Sequence, residues 1–172
     1  MLTKTYQLRS VKSIDQDIKQ LPHQPGIYIV RIGGNGFGNG AVVYVGKAES
    51  SIRARWRERV NNFYDNKSCS DYRMFADVVT HLARGSRVTI ECRTVTLKQF
   101  WGNRGWMKRR IRHDEGVLIR LYRKPRLNKI FEDAAIDPLL SFVDGVWQSV
   151  NQFLALVGCG VGLALMFKFF VG

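Results

Sequence analysis

The 172-residue chain is poor in cysteine and in acid, and each shortage removes a class of protein. Its three cysteines, Cys69, Cys92 and Cys159, stand far apart without any CxxC or Cys/His spacing. Neither a disulfide framework nor a zinc site is indicated, and a reducing compartment is expected. Met1 to Gln20 is polar and charged and lacks an apolar run, so no secretory signal peptide is expected there. Only 14 Asp and Glu stand against 27 Lys and Arg, a formal charge of +13. An excess of that size speaks to partners rather than to fold, and polyanions are the natural ones.

The charge is unevenly placed. Residues 1–132 hold 26 Lys and Arg against 11 acids, hence +15, whereas residues 133–172 hold one against three, hence −2. The first part suits nucleic acid, whose counterions are released when its phosphates are neutralised. On charge alone a merely basic surface, or one that binds anionic lipid, stays open.

Periodicity orders the first part as β-β-α-α-β-α. Residues 1–20 read as a lead-in with a short helix at Ser13–Lys19, capped by Ser13. Gly26–Ile32 and Ala41–Gly46 read as a hairpin around the Gly- and Asn-rich stretch 33–40. Behind Ser50, a suitable N-cap, Ile52, Trp56 and Val60 mark one face of a helix to Phe63 whose other faces are cationic. A second helix spans Asp71–Arg84, an alternating strand Arg87–Val95, and a last helix Met107–Tyr122, ending before Pro125.

Hydrolysis of a phosphodiester needs cations or a metal to spread charge, an activated water, and a proton for the leaving oxygen. Suitable residues occur in three clusters: Gly26-Ile27-Tyr28; Tyr44-Val45-Gly46-Lys47 leading into Ile52-Arg53-Ala54-Arg55; and Glu115, Leu118-Ile119, Pro125 and Asn128. Glu115 is a hard oxygen donor suited to Mg²⁺, though a surface salt bridge to Arg112 or Arg120 accounts for it locally as well. Tyr28 and Tyr44 fall on paired strands, where they meet on one face or serve as aromatic core. Residues 125–128 also suit a plain turn.

As an ordered set, these clusters resemble the GIY-YIG nuclease family over Pro25 to Asn128, about 60% of the chain, and Val43 to Arg55 is similar to the nuclease domains of bacterial excision repair and of homing endonucleases. The resemblance implies an α/β (α+β) domain over 21–132, with a small three-stranded sheet flanked by helices. It implies a metal-dependent endonuclease, with DNA the expected substrate. In that reading Glu115 is the sole protein ligand of Mg²⁺ or Mn²⁺, Arg55 binds the phosphate in the transition state, Tyr44 activates water, Tyr28 positions water or phosphate, and Asn128 orders the site. Lys47, Arg53, Arg57, Arg59, Arg109 and Arg112 are read as substrate-binding cations, with Arg53, Arg57 and Arg59 solvated around their helix. Many family members carry His where this chain has Arg59, so proton transfer by histidine there is not expected. The 15 residues between Tyr28 and Tyr44 make a longer gap than is usual, and its glycine-rich middle reads as a linker. A binding module that has lost catalysis is the rival reading, and it is disfavoured because all five catalytic types are present.

The C-terminal segment, 133–172, departs from this pattern. Phe153 to Phe167 carries no charge, and residues 153–171, as a helix of about 28 Å, come close to the roughly 30 Å of a hydrocarbon core. Trp147 and Lys168 suit the headgroup boundaries, and the basic residues upstream would keep the nuclease cytoplasmic. A membrane-anchored nuclease effector or toxin fits this pattern. Gly158, Gly160 and Gly162 weaken a helix, and packing on the nuclease domain or a homo-oligomer seam is the alternative.

Overall fold

The computed structural model describes residues 2–33, 40–65, 70–100, 102–122, 125, 127 and 128, together with 140, 141, 144–146, 148, 149 and 152. The chain divides into two compact units, Met1–Ala135 and Ile136–Gly172. In the first, β1 (Leu2–Leu8) and α1 (Ile14–Lys19) precede the hairpin of β2 (Gly26–Ile32) and β3 (Ala41–Ala48). Then come α2 (Ile52–Tyr64), α3 (Ser70–Ala83), β4 (Val88–Thr94), a 3₁₀ turn (Leu97–Phe100) and α4 (Arg104–Leu121).

The sheet has four strands, not three: its order is β1-β4-β2-β3, and every neighbouring pair is antiparallel. The stretch read as a lead-in therefore contributes a full strand, paired with β4 from Leu2↔Thr94 to Leu8↔Val88. Its apolar residues are sparse because it is an edge strand whose residues are mostly exposed or half-buried, and a strand with so little buried surface leaves almost no alternation to read. Asp17, buried on α1, accepts from both the backbone N and Nε of Arg9 and so fastens α1 to the end of β1.

Helices cover both faces. On one, Tyr28, Val30 and Ile90 join Ile52, Trp56 and Val60 of α2 and Phe75 and Val78 of α3. On the other, Ile27, Ile29 and Val45 meet Met107, Ile111, Leu118 and Ile119 of α4. The near-continuous apolar run of β2 follows from this two-sided burial, whereas β4 alternates, with Val88, Ile90 and Cys92 turned to the α2 and α3 side.

Two caps differ from the sequence reading. Ser51, one residue later than expected, caps α2 by accepting from Ala54 N at 3.2 Å. Ser13 occupies the cap position of α1, but its hydroxyl bonds Asp17 instead of a helix N–H. The last helix starts at Arg104, ahead of Met107, because Asn103 Oδ1 accepts from Trp106 N at 3.1 Å.

In the second unit the described residues are helical, and Ser149 Oγ donates to Gly145 O at 2.9 Å, one turn back. Among the described residues no helix is long and apolar enough to cross a membrane. The 153–171 stretch and the hairpin tip 34–39 lie outside them.

Candidate active site around residues 44–47 of the edge strand

Four consecutive residues of β3 each meet one residue singled out by the sequence. Tyr44 Oη accepts from Arg59 Nη2 at 2.9 Å. Val45 is held by Asn128, whose Oδ1 accepts from Val45 N at 2.9 Å and whose Nδ2 donates to Val45 O at 2.7 Å. Gly46 is in register with Tyr28, whose phenol lies over its Cα. Lys47 Nζ donates to Glu115 Oε2 at 2.6 Å. Residues from β2, α2, α4 and the segment after α4 thus converge on one short stretch.

Local sequence explains much of this placement. The register slips between Val30 and Arg31, whose partners are Tyr44 and Val42, so Val43 is an extra residue in β3. Such a bulge resets the alternation. Val42 packs with the α4 face, while Val43 and Tyr44 both pack with the α2 face, where Tyr28 stands. The two tyrosine rings lie 6.1 Å apart at 25°. A Cβ on Gly46 would strike the Tyr28 hydroxyl and come within 2.6 Å of the Tyr44 ring. A Cβ on Gly26 would strike the Arg93 carbonyl of β4. Both motif glycines are therefore sites of close approach. At the start of α2, Ile52 N and Arg53 N donate to Gln24 O and Pro22 O, which fixes this cationic helix against the strand end.

Arg59 corrects the reading of it as a solvated cation: it is 1% exposed. Its guanidinium carbon lies 5.0 Å from the centroids of both Tyr28 and Tyr44 and 5.9 Å from that of Trp56. A buried charge is costly unless it is paired, and here ring faces and the Tyr44 oxygen offset the lost hydration. The signal was present in the spacing, because Arg59 falls seven residues after Ile52 and three after Trp56, on the buried stripe of the helix.

Glu115 is also buried, and it pairs with Lys47 from the strand rather than with Arg112 or Arg120. Burial pushes its carboxyl above the ordinary range, while the Lys47 hydrogen bond, the Lys47 charge and the Arg59 charge pull the other way and Glu49 adds to the rise. Tyr28 is fully buried and Tyr44 half-buried, so both readings of the pair hold: they share a face and belong to the core. Asn128 orders the strand and also makes the turn, its N donating to Pro125 O at 2.9 Å.

The remaining cations are dispersed. Arg55 forms an ion pair with Glu58 at 2.8 Å and lines an open cleft of about 300 Å³ together with Lys47. Arg53 instead ties α2 to the preceding segment through Leu21 O at 2.7 Å. Arg112 donates to Glu49 at 2.8 Å, and Lys108 adds a longer contact of 3.4 Å to the same carboxylate. Arg57 and Arg109 are exposed, the latter over the Trp106 ring. Glu49, absent from the sequence reading, is the acid that gathers α4 cations beside the cleft. Acids scattered among so many bases carry no local signal of which base they meet. His113 is buried, and Cys92 is buried as a free thiol that burial pushes well up.

No family model, curated protein or solved structure matches this chain.

Proposed function

We propose that this chain is a metal-dependent endonuclease of the GIY-YIG kind that hydrolyses phosphodiester bonds of nucleic acid, DNA foremost. The observation that carries the reading is the convergence of Arg59, Asn128, Tyr28 and Glu115 on Tyr44, Val45, Gly46 and Lys47, one partner for each residue. Core packing alone has no use for a buried guanidinium on Tyr44 and a buried carboxylate on Lys47, three residues further along the same edge strand, since apolar residues of equal volume are often as stable or more so.

Arg55 and Lys47 offer two cations to a phosphate in the cleft they line. Arg59 donates to the Tyr44 oxygen, which leaves the phenol's own proton for donation to the water or phosphate oxygen of a bound substrate. A guanidinium keeps its protons in proteins, which makes Arg59 a positioning residue for Tyr44 rather than a base. Asn128 positions the same strand through Val45.

The donor set fits Mg²⁺ or Mn²⁺: Glu115 is a hard carboxylate, and such ions are held by one or two carboxylates while keeping several waters. Lys47, which occupies Glu115 Oε2, has a side chain 36% exposed and so has a route to solvent when an ion takes its place. Bound at Glu115, the ion would supply positive charge to the phosphate oxygens and acidify water.

The experiment is incubation of the purified full chain with supercoiled, linear and branched DNA and with RNA, in Mg²⁺, in Mn²⁺ and in chelator. Cutting that depends on metal, lost in Glu115→Ala with binding retained, is expected. Full activity in excess chelator, or in Glu115→Ala, would overturn the reading.

A further inference from the structure

Beside the Lys47–Arg55 cleft lies a larger hollow of about 720 Å³ that shares Glu49 and Ser50 with it. Its volume falls within the ~300–1,000 Å³ typical of pockets for small organic ligands. Val95 and Met107 give it buried apolar lining, Leu97 is half-buried, and Arg104 and Lys108 are exposed cations that also line it. None of the five candidate catalytic residues, Tyr28, Tyr44, Arg55, Glu115 and Asn128, borders it.

The lining fits a nucleotide better than a run of backbone. A groove that tracks phosphates needs cations and has no use for apolar lining, and a paired base keeps its faces in the stack. An unstacked base presents an apolar ring face, a polar edge and a phosphate together, and it is the form that enzymes draw into pockets. Here Val95, Leu97 and Met107 match the ring, and Arg104 and Lys108 match the phosphate. Glu49 matches the edge: hydrogen bonding from Arg112, then from Lys108, holds its carboxyl below the usual range, leaving an ionised acceptor for an exocyclic amino group.

We propose that this hollow receives one unpaired nucleobase adjoining the phosphodiester in the Lys47–Arg55 cleft, with Arg104 and Lys108 on the neighbouring phosphate, so that the substrate is nucleic acid carrying an unstacked nucleotide. The proposal rests on the nuclease reading and adds the substrate class. Its test measures binding alone, in chelator, so that it succeeds or fails independently of cutting.

Two DNA hairpins carry a fluorescent aminopurine, one in a single-nucleotide bulge and one fully paired, and each is titrated with the full chain. The bulged hairpin is expected to bind about tenfold tighter, the factor one good base contact supplies. The aminopurine signal should change on binding only when bulged. Thr96→Trp, at an exposed position lining the hollow, should fill it and reduce the bulged affinity to the paired one, leaving the paired affinity unchanged. Arg104→Ala, at the exposed start of α4, should weaken bulged binding more than paired, and circular dichroism should show both variants folded as the parent. Equal affinities for the two hairpins, or an undiminished preference in folded Thr96→Trp, would overturn the proposal.

Discussion

Asn128→Ala tests how the site is held. Asn128 makes two hydrogen bonds to Val45, at 2.9 and 2.7 Å, both buried and both bridging a separation of 83 residues. They satisfy the backbone of β3 on the side facing away from β2, where the neighbouring Leu127 N also donates to Val43 O at 3.0 Å. A typical hydrogen bond contributes about 1 kcal/mol net, and a buried group left without its partner costs about 1–3 kcal/mol. Removing the amide strands one donor and one acceptor, so a loss of about 2–4 kcal/mol is expected, tempered by whatever water reaches the edge. For a domain of this size that lowers the melting temperature by on the order of 10 °C. Asn128→Asp separates the two bonds: a carboxylate still accepts from Val45 N but faces Val45 O without a proton to donate. It should be at least as damaging near neutrality and recover as pH falls, since the protonated acid regains a donor. Thermal and urea unfolding at several pH values check both variants. A loss below about 1 kcal/mol for Asn128→Ala, less than the typical value of one bond, would mean that the edge is held by other contacts.

Gly46→Ala places a methyl group against the Tyr28 phenol and the Tyr44 ring, and overpacking of this kind costs about 1–3 kcal/mol; unfolding should show it, and a neutral result would mean the rings move aside freely. Glu115→Gln in metal-free protein should raise the melting temperature near neutrality. Burial raises the folded carboxyl above its unfolded range, so stability present below the unfolded range is lost as pH climbs through the folded one, and a neutral amide escapes that loss. The advantage should vanish at acid pH, and a variant less stable than the parent at neutral pH would show that the Lys47 and Arg59 attractions outweigh burial. Arg55→Ala should lower kcat by about 100-fold or more with the fold intact, as removal of a transition-state donor does. A change confined to KM would show that it only docks substrate.

Much of the fold was legible locally. The hairpin, α2, α3, β4 and α4 were visible because apolar residues recur at the period of the element that buries them, as Ile52, Trp56 and Val60 do along α2. The extra strand β1 was not, since an exposed edge strand carries no such stripe. The bulge at Val43 left no mark either: Val42, Val43 and Val45 look equivalent in sequence, and only pairing with β2 divides them between faces.

The types and order of the candidate residues, the steep fall in charge after residue 132 and the stripe that carries Arg59 inward are local properties of the chain, legible without its fold. Tertiary structure alone decided their partners. Glu115 could have met Arg112 or Arg120 on its own helix, but it meets Lys47 because α4 packs across the β2–β3 face on which Lys47 stands. Arg112, freed from Glu115, meets Glu49. Such choices depend on which surfaces the apolar stripes bring together. A charge has no periodicity of its own, so its partner is set by packing at long range and cannot be read from the residues beside it.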